Sequence, residues 1–130
     1  MALWTGWMAV ALLILAAAVP LGHRWIHGRR SAPRSRTQGW HAGIGLAAAV
    51  AAVVHATSIL PALGAPSVVR GATLALLPGV VAVFLLVAHV GLGLRLRDPA
   101  LRDRPRIRRT HLFVAVTIAC AVCAHVVGVR

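Results

Sequence analysis

Residues 40–60 read WHAGIGLAAAVAAVVHATSIL, and residues 110–129 read THLFVAVTIACAVCAHVVGV. Each is an apolar run of about 20 residues, long enough to cross a hydrocarbon core of about 30 Å at about 1.5 Å per residue. In lipid every backbone N–H and C=O must be paired within the segment, so both runs are expected as helices. Each run also carries two histidines 14 positions apart, His41 and His55 in the first, His111 and His125 in the second. Fourteen residues are nearly four helical turns. The two rings of a run therefore stand on one side of the helix, about 40° apart around it and about 21 Å apart along it.

Two further apolar runs, 2–21 and 71–94, complete a chain of 130 residues. Hydrophobic residues make up 59% and charged residues 12%, with a mean hydropathy of +0.83. A soluble domain of this size could not cover its surface with so few polar groups. The fold expectation is an all-α membrane protein, one domain over 1–130, with helices at about 2–21, 40–60, 71–94 and 110–129.

The charge pattern orients it. The chain has 14 arginines, no lysine, and two acids, Asp98 and Asp103, for a net charge of +12. Such a balance can signal nucleic-acid binding. Here the charges fall in short clusters between apolar runs, which is a topology pattern, and no nucleic-acid partner is expected. Arg24, Arg29, Arg30, Arg34 and Arg36 follow the first run. Arg95, Arg97, Arg102, Arg104, Arg106, Arg108 and Arg109 follow the third. The positive-inside rule puts both clusters in the cytoplasm and both termini outside. The first run has no basic residues before it, so it reads as a retained helix and not as a cleaved leader. Short connections make neighbouring helices antiparallel, giving an up-down four-helix bundle in which the second and fourth helices run parallel. Trp4, Trp7, Trp25 and Trp40 sit near the expected interfaces, as aromatic anchors do. Abundant Ala, Arg and Gly suggests a GC-rich bacterial genome, hence a multi-pass protein of the bacterial inner membrane.

Ligating side chains inside a membrane are costly and suggest a functional site. With the second and fourth helices parallel, His41 comes level with His111 near the cytoplasmic side, and His55 with His125 towards the outer side. Two neutral imidazoles from opposite walls are what bis-histidine ligation of haem requires. Polar hydrogen bonding between helices and ligation of another metal are the other uses of such rings. Small residues give a macrocycle room: Gly79 and Gly93 on the third helix, again 14 apart, and Gly6 and Gly22 on the first. Haem propionates need cationic partners, and guanidinium forks suit carboxylates. Arg36, Arg108 and Arg109 are candidates at the cytoplasmic level, Arg70 and Arg130 at the outer one.

Two parallel helices each bearing His-x13-His, with glycines at the same spacing between them, resemble the four-helix dihaem core of the cytochrome b family and of ferric-reductase-like transmembrane domains. The resemblance covers the last three helices, and the first by position only. It implies two non-covalent haem b groups, with His41, His55, His111 and His125 as axial ligands. It also implies electron transfer across the bilayer, with other redox subunits or a quinone as partners. No quinol-oxidation motif, flavin domain or nicotinamide domain accompanies the helices. Any enzymatic role is then that of an oxidoreductase subunit, of quinone- or ferric-reductase type.

The other candidates carry less. His23 and His27 form an i, i+4 pair that could bind a metal or serve as interfacial basic residues. His89, on the third helix, could contact a propionate, replace a ligand, help form a quinone pocket, or make a structural hydrogen bond. Cys120 and Cys123 are expected as small core residues, since His125 falls one position too late for covalent c-type haem attachment. Asp and Glu are absent from all four runs, which argues against a proton pump. Chemistry is expected from a cofactor, with the chain supplying orientation and electrostatics. The rival readings are a histidine-rich metal-ion binder or transporter, and a cofactor-free scaffold subunit of a larger membrane complex.

Overall fold

The computed structural model describes residues 2–61 and 73–129. Over those residues the chain is helical: α1 Ala2–His27, α2 Arg36–Ile59, α3 Thr73–Leu96 and α4 Arg104–Gly128. All four helices are long and apolar enough to cross a membrane, the pattern of a multi-pass membrane protein.

The helices outrun their apolar segments. α1 continues six residues past Leu21 to His27, α2 begins at Arg36, and α4 begins at Arg104. Arg24, Arg36, Arg95, Arg104, Arg106, Arg108 and Arg109 thus ride on helical turns, not in loops. Hydropathy marks only the part of a helix that lipid can cover, whereas long arginine stems let the helix continue while the charged head reaches water. The ends are set by local chemistry. α1 stops at Gly28, whose φ of +63° suits the left-handed residue that closes a helix. α2 opens at Ser35, whose hydroxyl accepts from the Gln38 amide. Between α3 and α4, Arg104 donates to the carbonyls of Leu96 and Asp98, folding the connection back on itself.

α1 packs against α2 and α3 against α4, and the two pairs meet where α2 approaches α3. Contacts along α1 and α2 run in opposite sequence order. Gly6 meets His55, Ala16 meets His41 and His23 meets Thr37. The same holds for α3 and α4, where Gly79 meets His125 and Gly93 meets His111.

The buried positions are mostly small: Ala9, Ala16, Ala48, Ala51 and Ala82, with Leu86, Ile107 and Ile118. Small residues let helix backbones approach closely where lipid gives no hydrophobic drive between helices. Large apolar side chains such as Ile14, Phe84, Phe113 and Val127 point outward, a surface suited to lipid. All four tryptophans are exposed. Cys120 and Cys123 are exposed free cysteines, so the expectation of core residues is corrected. Cys120 lies nine residues from His111, which at 100° per residue is the opposite side of α4.

Candidate functional site

The backbones of α2 and α4 share no extended packing, yet their histidine rings meet across the separation. His41 and His111 have ring centroids 6.2 Å apart at an interplanar angle of 83°. His55 and His125 have centroids 6.4 Å apart at 71°. The four predicted ligands therefore converge as the two predicted couples. Each couple joins the same two helices, and the couples are separated by 14 residues on both.

The spacing is informative. A metal–imidazole bond of about 2.0 Å on each side, with each ring centre about 1.1 Å beyond its nitrogen, would set facing ring centres about 6.2 Å apart. Direct stacking would bring rings closer, and a direct hydrogen bond would join a nitrogen of one ring to the other. Two imidazoles that held one metal between them could each rotate about its own metal–nitrogen bond, so ring planes at 83° and 71° would be compatible with ligation. Among the described residues, no three His, Cys, Asp or Glu side chains form a cage for a bare metal ion. Couples, not cages, suit a macrocycle that brings its own four nitrogens. The spacing of the two couples is compatible with bis-histidine ligation of haem.

Each ring is seated from a neighbouring helix. A Cβ added to Gly79 would lie 2.8 Å from Nδ1 of His125, and one added to Gly93 would lie 3.3 Å from Cε1 of His111. On α1, a Cβ at Gly6 would lie 3.0 Å from Cε1 of His55. These three glycines leave the space that an imidazole fills. A Cβ at Gly22 would meet nothing within 4 Å, so open space lies beside it and no ring is seated there.

Hydrogen bonds orient two of the rings. Nδ1 of His41 donates to the Ala16 carbonyl at 2.8 Å, which leaves Nε2 of the neutral ring with its lone pair available. Pro20 explains why that carbonyl can serve. Pro20 lies inside α1 and has no N–H, so the bond it would donate to the carbonyl four residues earlier, that of Ala16, is missing. One missing backbone bond inside α1 thus frees an acceptor for a ring on α2. Nδ1 of His55 lies 3.2 Å from the Thr5 hydroxyl. Such outer partners fix the tautomer and rotation of a ligating histidine.

No known family, curated protein or solved structure matches the chain.

Of the predicted propionate partners, Arg36 opens α2 five residues before His41, and Arg108 and Arg109 lie three and two residues before His111. All three are exposed. Arg70 and Arg130 lie outside the described residues. His23 and His27 stack at the end of α1, with centroids 4.4 Å apart. His89 stacks on His111, with centroids 3.7 Å apart and planes 12° apart. The sequence shows His89 as a lone polar residue; its meeting with His111 depends on the register of α3 against α4. Thr5 and Pro20 were missed as supports. The signal for Pro20 was a proline inside an apolar run, four residues after the carbonyl it frees.

Proposed function

We propose that this chain is a dihaem b-type membrane cytochrome that carries electrons across the bilayer as a subunit of a larger redox complex. The observation that supports it is the pair of histidine couples at 6.2 and 6.4 Å, each bridging α2 and α4. His41 and His111 would hold one haem, and His55 and His125 the other. One-electron cycling of haem iron is the chemistry the group supplies when bound.

The chain's own part is to hold four imidazoles oriented in an apolar medium. Its apolar helices keep the dielectric low around both couples, while Gly6, Gly79 and Gly93 seat three of the rings. The antiparallel contact order within each helix pair supports the up-down arrangement, with α2 and α4 parallel. By the positive-inside rule the arginine clusters at the α1–α2 and α3–α4 ends support a cytoplasmic position for those ends, with both termini outside, in what would be a bacterial inner membrane. The His41 couple is then the inner one and the His55 couple the outer one. Arg36, Arg108 and Arg109 would neutralise the inner propionates, and Arg70 and Arg130 the outer ones. A quinone or a further redox subunit would exchange electrons at each surface.

A reduced-minus-oxidised spectrum of the purified chain, with a pyridine haemochrome count, tests this. Two b haems per chain are expected, both low-spin. The near-perpendicular ring planes predict a strongly anisotropic ferric signal in electron paramagnetic resonance. A colourless protein under haem-replete expression would end the proposal, and zinc, copper or nickel bound in its place would support the metal-ion reading.

A second expectation follows from Pro20. In Pro20→Ala the residue regains an N–H that competes for the Ala16 carbonyl, loosening the bond from His41. Loss of such an outer partner weakens metal affinity by about tenfold or more. Haem titration of the apoprotein is expected to show the inner site weakened and the outer site unchanged. Equal affinity of both sites in variant and wild type would refute this role.

A further inference from the structure

Three imidazoles, not two, gather at the inner level. His89 on α3 stacks on His111 of α4, with ring centroids 3.7 Å apart and planes nearly parallel at 12°. Gly93, one turn further along α3, lies against the same His111 ring. His41 faces this stack from α2, held by its bond to the Ala16 carbonyl.

The three rings are not held alike. His41 has an outer partner that fixes its tautomer. The Nδ1 atoms of His89 and His111 are both buried, and neither has a hydrogen-bond partner among the described residues. A ligating histidine is ordinarily held in place by a bond from its second nitrogen. The two rings lie parallel with centroids 3.7 Å apart and lack that restraint, so a sideways shift of that distance would put one where the other stands.

We propose that His89 and His111 are interchangeable axial ligands of the inner haem, both opposite a fixed His41. The inference rests on the dihaem reading. In the exchange one iron–nitrogen bond breaks as another forms, and both imidazoles are neutral before and after, so no electron or proton is transferred. The outer couple has no such substitute among the described histidines. The inner centre would then tolerate movement of α3 against α4 that the outer centre would not.

The test is a haem count and spin state on the full-length chain, purified from haem-replete membranes. His111→Ala is expected to keep two low-spin haems per chain. His89→Ala/His111→Ala and His41→Ala are each expected to keep one. Should His111→Ala give no stable protein, His111→Asn is read on the same scale. The outer haem is an internal control, since its presence shows that the bundle has formed. If His111→Ala holds only the outer haem, or an inner haem that has turned high-spin, exchange is overturned while the dihaem reading stands. A wild-type chain without haem removes the dihaem reading itself.

Discussion

His125→Ala is expected to purify with one haem per chain in place of two, and His55→Ala likewise. The outer couple consists of one ring from α2 and one from α4 at 6.4 Å. His23, His27, His41, His89 and His111 all lie at the other end of the helices, about 21 Å away along the axis for the nearest ligand on the same helix. Truncation therefore leaves a single imidazole with no replacement in reach. A five-coordinate haem in an apolar bundle loses one axial bond and the orientation that bond imposes. Non-covalent retention depends on both. The inner haem should persist, because its ligands and their supports on Ala16, Gly93 and His89 are untouched. Potentiometric titration is then expected to show one step where two are expected of the wild type, and the haemochrome count to halve. The scaffold reading makes the opposite claim, that neither substitution alters the assembled protein. Two haems retained in both variants would abolish the assignment of the outer site.

How much of this could be read from the sequence differs by element. The four spans were legible because the requirement for an apolar surface about 30 Å long leaves few alternatives. The helix ends were not. Hydropathy stops at the first arginines, while hydrogen bonding continues through Arg24 on α1 and begins at Arg104 on α4. The two histidine couples were legible because the same 14-residue interval occurs on two helices, and a shared interval survives any uncertainty in where the helices begin. Gly79 and Gly93 carry that interval too; they were expected to give a macrocycle room, and the space they leave is filled by the rings of His125 and His111. His89 has no second member at that spacing. Its partner is set by the rotation and register of α3 against α4, which are properties of packing and not of pattern. Cys120 and Cys123 were misplaced for a related reason. Polarity alone does not tell which side of an apolar helix faces lipid, but the histidines did, and angle counting from His111 puts Cys120 on the far side. The Ala16 carbonyl is a backbone atom with no signature in residue identity; only Pro20 betrays it.

Gly79→Val is expected to abolish the outer haem as completely as loss of His125 itself, without removing any ligand. A Cβ at position 79 falls 2.8 Å from Nδ1 and 2.9 Å from Cε1 of His125. Both distances are too short for nonbonded carbon contacts, so something must shift, and overpacking of this kind costs about 1–3 kcal/mol. The ring cannot simply retreat, because His55 stands opposite at 6.4 Å, and with haem bound between them the metal–nitrogen bonds would hold that distance. α3 cannot move away without giving up its packing on α4. Valine adds two methyl groups beyond Cβ, so the ring is pushed off its axis and not merely crowded. Smaller changes should grade accordingly. Gly79→Ala is expected to weaken the outer haem, and Gly93→Ala, whose Cβ would sit at 3.3 Å from His111, to perturb the inner one less. Gly91 lies on the same helix with nothing within 4 Å of an added Cβ. Gly91→Ala should therefore keep both haems and raise helix stability, by up to about 1 kcal/mol. Haem content and spin state across the four variants measure the series. The ordering separates a ring-shaped recess from a general intolerance of α3 to side chains: if Gly91→Ala loses haem as Gly79→Val does, the glycines serve the helix and not the ligands.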